Sequence, residues 1–250
     1  MHKNTFLVVI LLSFFLKNAH STEENIFYEN ATRMVGDYSS VVLIALNSSL
    51  NNTDNKKYHI FKNSKKPTIN TLDSINRKFL ILSNNRDVNA VTSVHLLKDG
   101  KNKECVIVYK KGISLNTLKH ETGHCFTPIR YKVSGFVKQN SSDDYDDYLN
   151  ELSADLVASI ISLKLENEPT YIRLRTENIE NKGASAVNYK LVAKAFPGLK
   201  VILSDYRFTG KSHEEAVKEI LGLMSQRYPP LTEHEYWEDV KAYNKLLKRN

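Results

Sequence analysis

The chain has 250 residues, 41% of them hydrophobic, and 35 Lys and Arg against 28 Asp and Glu, for a net charge of +7. That length and apolar content support one two-lobed domain with a core of its own. The basic residues are scattered, with no aromatic-flanked strip and no zinc-finger or RNA-binding signature. The charge therefore suits anionic surfaces or acidic proteins, and nucleic acid is excluded as the expected partner.

The first 21 residues read as a cleaved signal peptide. Lys3 supplies a positive start, Phe6 to Leu16 is apolar apart from Ser13, and Ala19-His20-Ser21 places small residues where a signal peptidase acts. The apolar run is short of the roughly 20 residues that span a bilayer. No later stretch is long and apolar enough to span one, so a secreted or periplasmic protein without a membrane span is expected, carrying residues 22–250 as one domain. Within it, 22–130 is expected to form an N-terminal α+β lobe and 131–250 a helical lobe.

Residues 24–46 suit a helix that ends in "VVLIAL", a stretch equally compatible with a buried strand. "NSSLNNTDNKK" (47–57) reads as a loop and "KFLIL" (78–82) as a strand. "VTSVHLL" and "ECVIVYK" flank the Asp99-Gly100 turn signal and predict a β-hairpin. Ser114 is a good N-cap for a helix from about Leu115 to Phe126, which Pro128 should stop.

A second helix opens near Ser141 or Ser142. Asp143, Asp144, Asp146 and Asp147 crowd its start, where the helix dipole favours negative charge; this reading is preferred to a calcium loop. Leu149, Leu152, Leu156, Ile160 and Leu163 recur at threes and fours along it and mark a buried face. "SHEE" (212–215) and "TEHE" (232–235) match the S/T-x-x-E capping box, each opening a helix. The expected class is α+β: a small twisted sheet with the hairpin packed on the helix near residue 120, followed by a mainly helical lobe.

The chain has two cysteines, Cys105 and Cys125. In an oxidising compartment they are expected to pair. Cys125 is a poor ligand for an ion held by its neighbour, since adjacent helical residues point about 100° apart.

The chemistry lies in "HETGH" (120–124) and "NELSAD" (150–155). Residues four apart share a helix face, so His120 and His124 can present two imidazoles to one zinc ion. Glu121 is turned off that face and suits a general base rather than a ligand. A catalytic zinc needs a third protein ligand and an open position, and Glu151 can supply the ligand. Asp155, one turn on, can accept the outward N–H of a zinc-bound histidine.

These two segments resemble the gluzincin metallopeptidases, the thermolysin- and neprilysin-like group whose pattern is H-E-x-x-H followed by (N)-E-x-x-[SA]-D. The resemblance covers roughly residues 90–165. It implies a zincin-like fold, one Zn2+ held by His120, His124 and Glu151, Glu121 as general base, Asp155 behind the ligands and a peptide or protein substrate. An endopeptidase is preferred to an exopeptidase, and the alternative is a secreted binding or structural domain without a functional metal site. Thr127 and Arg130 stand where a metzincin needs Gly and His, while an aspzincin-like third ligand from the acidic run stays open. For the group that stabilises the oxyanion, the candidates are Tyr189, Tyr206, Arg207, His213 and His234, with the two histidines first because a downstream histidine has that role in thermolysin-like enzymes.

Overall fold

The computed structural model describes residues 26–36, 38, 40–46, 59–61, 77, 88–96, 103–136, 141–167, 169–180 and 187–247. The signal segment, the Asn-rich loop, the strand expected at 78–82 and the Asp99-Gly100 turn lie outside these residues. No helix among the described residues is long and apolar enough to cross a membrane.

The class is α+β and mostly helical. The expected helix-or-strand stretch at 24–46 contains both, a helix α1 (residues 26–35) and a strand β1 (Ser40–Leu46). With β2 (His59–Phe61), β3 (Ala90–Leu96) and β4 (Lys103–Lys110) it forms one mixed sheet in the order β2-β1-β4-β3. β1 runs parallel to β4, and β3 pairs antiparallel with β4 from Ala90↔Tyr109 to Leu96↔Lys103, the pairing expected of the hairpin. In β4, Cys105, Ile107 and Tyr109 point to one face and join the helical core. Val41 and Leu43 lie beside Cys105 and Ile107 and extend the same apolar face.

On that face sits α2 (Leu115–His124), capped by Ser114, whose side chain accepts from Thr117 N at 3.1 Å. The helix ends at His124, two residues before the expected limit. Pro128 does not stop it: the proline lies in the first turn of a further short helix, α3 (Thr127–Arg130). A proline is tolerated there because the first N–H groups of a helix have no carbonyl partner within it. The expected disulfide is present. It joins Cys105 and Cys125 with Cα atoms 5.4 Å apart and ties the central strand to the end of α2.

The long helix α4 (Asp143–Glu166) runs through the core and is buried almost all round between Tyr148 and Ser162. Of its expected apolar face, Leu149, Leu152, Leu156 and Ile160 are buried and Leu163 is partly so. Ser142 is its N-cap, but the side chain makes no capping bond; Glu233 instead accepts from the Ser142 amide at 2.9 Å. The helix ends at Asn167, which adopts a left-handed φ of 54°.

Among the described residues five more helices follow: α5 (Thr170–Glu180), α6 (Val187–Ala193), α7 (Phe196–Asp205), α8 (His213–Arg227) and α9 (Glu233–Leu247). Both capping boxes form, with Ser212 and Glu215 bonded reciprocally at the start of α8 and Thr232 and Glu235 likewise at α9.

Candidate metal centre

Two helices build the centre, and a glycine brings them together. Gly123 of α2 meets α4 so closely that a Cβ placed on it would lie 2.2 Å from the Ala154 carbonyl oxygen. Ala154 stands between the two acids that the sequence pairs with the histidines. The close approach therefore lays His120 and His124 directly against Glu151 and Asp155.

His120, His124 and Glu151 form a group whose candidate ligand atoms all lie within 4.8 Å of one another. Glu151 faces both imidazoles, with Oε2 at 3.1 Å from His120 Nε2 and Oε1 at 3.6 Å from His124 Nε2. Three tetrahedral ligands at zinc bond lengths stand about 3.3 Å apart, close to these separations. Glu151 Oε2 is also a buried acceptor that makes no directed hydrogen bond. That oxygen is satisfied by a proton on His120 Nε2 or by a cation held between it and the imidazole nitrogens. The group can hold a metal ion.

Behind His120 lies a hydrogen-bonded cage. Its Nδ1 is 2.7 Å from Asp155 Oδ1, which leaves Nε2 to face Glu151. Asp155 is fully buried and also accepts from the Tyr171 hydroxyl at 2.6 Å and from Arg175 Nε at 3.0 Å. Tyr171 and Arg175 stand four apart on α5 and so act from one face. The Arg175 guanidinium continues over the Tyr189 ring, 5.0 Å from its centroid.

The charges follow from this packing. Burial works against ionisation of Asp155, but His120, Arg175 and the Tyr171 hydroxyl outweigh it and hold the carboxyl well below its usual range. Burial likewise opposes ionisation of Glu151, yet the two histidines carry it down to about 2. In the metal-free chain burial disfavours charge on His120, and Asp155 and Glu151 overcome that and raise it to about 10. His124 moves the other way because burial dominates there. One proton thus occupies His120, between two carboxylates, where a divalent cation would replace it.

A cleft of about 340 Å³ opens beside the group. His120, Glu121, His124 and Glu151 line it together with Thr92 of β3, Asn150, Arg175 and Tyr189. Thr92 Oγ1 donates to Glu121 Oε2 at 2.5 Å. Burial raises the Tyr189 phenol to about 12, with Glu151 adding to the effect, so the hydroxyl keeps its proton.

Of the residues singled out in the sequence, His120, Glu121, His124, Glu151 and Asp155 converge, and Tyr189 joins them. His213 and His234 do not line this cleft. His213 Nε2 is 2.8 Å from the Arg33 carbonyl oxygen and its Nδ1 is 2.8 Å from Lys164 Nζ, which fixes it against the end of α1. His234 is exposed, with Glu238 its neighbour at 3.7 Å. Tyr206 donates to Glu219 at 2.7 Å, and Arg207 is exposed. Sequence reasoning missed Thr92, Tyr171 and Arg175. The four-residue spacing of the last two was the available signal, but nothing local says which way α5 faces.

Set against models of known protein families, curated proteins and solved structures, the chain matches none.

Proposed function

We propose that the chain is an exported, zincin-like zinc metallopeptidase of gluzincin type, hydrolysing peptide bonds in the cleft beside His120, His124 and Glu151. One observation carries the reading: two sequence segments 26 residues apart place two imidazoles, a carboxylate and a non-liganding glutamate around one cleft, with a buried aspartate behind a histidine. Two imidazoles and one carboxylate with an open fourth position suit zinc and hydrolytic chemistry. Export rests on the N-terminal pattern, and the disulfide accords with an oxidising compartment.

Bound zinc would supply a Lewis acid and make a water nucleophilic near neutral pH. The protein's own groups do the rest. Glu121 turns Oε2 to Thr92, leaving Oε1 to take the proton of the attacking water and pass it to the leaving amine. Tyr189, protonated at neutral pH and lining the same cleft, is the donor for the oxyanion in place of His213 and His234. Asp155 fixes the His120 tautomer, and Tyr171 and Arg175 fix Asp155.

The test is Glu121→Gln. The variant should keep its zinc and lose hydrolysis of a broad peptide library by about 10²–10⁴-fold, the usual worth of a general base. Cleavage equal to the parent's would remove Glu121 from the chemistry. A zinc-loaded parent that cleaves no peptide would replace the peptidase with a non-catalytic binding domain.

A further inference from the structure

Thr92 occupies an inward position of β3, the edge strand among the described residues. Its pairing partner Ile107 belongs to the helical core, as do Tyr109 and Cys105, which pair with Ala90 and Val94 on either side of it. The inward face of β3 therefore reads Ala90, Thr92, Val94, with a hydroxyl where the pattern calls for an apolar group. Thr92 is partly buried and lines the cleft, where its hydroxyl is held by a protein acceptor. Its acceptor is Glu121, whose carboxylate Oε2 lies at 2.5 Å and whose main-chain oxygen lies at 3.2 Å. A single proton cannot serve both oxygens fully, and the shorter contact to the charged acceptor takes it.

Glu121 has several rotatable bonds and, among the described residues, Thr92 is the side chain that holds its carboxylate. We infer that Thr92 is a positioning residue for Glu121: it anchors one carboxylate oxygen to the edge strand so that the other is presented to the cleft. The inference rests on the peptidase reading above. A reacting group misplaced by about 1 Å can lose on the order of 100-fold in rate, so an anchor at this distance has a measurable consequence. The same contact joins the strand that forms one wall of the cleft to the helix that carries both histidines.

The experiment uses full-length zinc-loaded protein with Thr92→Val, which keeps the shape and removes the hydroxyl, and Thr92→Ser, which keeps the hydroxyl. Thr92→Val should retain its zinc and lose about 10- to 100-fold in kcat with KM within about twofold of the parent. Thr92→Ser should recover most of that loss. Parent-like kcat in Thr92→Val, or equal impairment in Thr92→Ser, would overturn the inference.

A melting cycle reads the contact without any substrate. Thr92→Val should lower Tm by a few degrees in the parent and by clearly less in a Glu121→Ala background, where the carboxylate is gone and the main-chain oxygen at 3.2 Å remains as an acceptor. Equal shifts in both backgrounds would mean that the contact does not form, and the role given to Thr92 falls. No hydrolysis by the parent would overturn the peptidase reading and the positioning role with it, whereas the melting cycle reports separately on the contact.

Discussion

Replacing Gly123 by alanine tests the geometry on which the centre depends. Alanine is the better helix former by about 1 kcal/mol, so with room to spare the substitution would stabilise α2. There is no room. The new Cβ would stand 2.2 Å from the Ala154 carbonyl oxygen and 2.9 Å from its carbonyl carbon, both backbone atoms that no rotamer change can move. An ordinary C···O contact is about 3.3 Å or more, so α2 and α4 must part by about 1 Å at this point.

That displacement falls on the 3.1 Å and 3.6 Å separations between Glu151 and the two imidazoles. A metal site tolerates errors of about 0.2 Å in its ligand distances. Overpacking of this kind costs about 1–3 kcal/mol in the metal-free protein, and drawing the parted helices back to the parent ligand distances on binding adds a penalty of the same order, whose upper figure weakens zinc on the order of 100-fold. Chelator competition should show that loss. Melting of the metal-free variant should show a folded protein a few degrees less stable than the parent, with the Cys105–Cys125 bond still tying α2 to the sheet. Parent-like zinc affinity, or a raised Tm, would refute the close approach and the assembly argued from it.

Removing a ligand should be more severe: His120→Ala and Glu151→Ala should each lose most of the zinc that copurifies with the parent at about one ion per chain, and full retention in both, read by elemental analysis, would dismiss the site. Asp155→Asn should weaken zinc by about 10- to 100-fold and also lower Tm, because an amide cannot accept from His120, Tyr171 and Arg175 together and leaves Arg175 without its buried counter-charge. Indistinguishable affinity and stability would place Asp155 outside the centre. With His120 raised to about 10 in the metal-free chain, its proton contributes stability that is fully present below the unfolded value of about 6.5 and is lost as pH rises through about 10. Chelated protein should therefore lose stability across that window, and zinc uptake at pH 8 should release about one proton; calorimetry in buffers of different ionisation enthalpy measures the release, and none would contradict the charge assignment.

Local rules made much of the centre legible in advance. Four-residue spacing on a helix needs no tertiary context to put His120 with His124, or Glu151 with Asp155, on one face. The two capping boxes and the β3–β4 pairing are short-range in the same way, and the pairing of Cys105 with Cys125 followed from there being no other cysteine. Pro128 shows the limit even of local reading, since the same residue that ends one helix is suited to begin the next.

What the tertiary structure alone decided is which faces meet. The capping motifs place His213 and His234 at helix starts, but packing turns the first to Arg33 and Lys164 and leaves the second in solvent. Arg175 and Tyr171 reach Asp155 only because α5 lies against α4, and Thr92 reaches Glu121 only because β3 lies beside α2. Periodicity states which residues of one element share a face. The partner of that face is chosen by close packing between distant segments, here by the absence of a side chain at Gly123, and that choice has no signature within any one stretch of sequence.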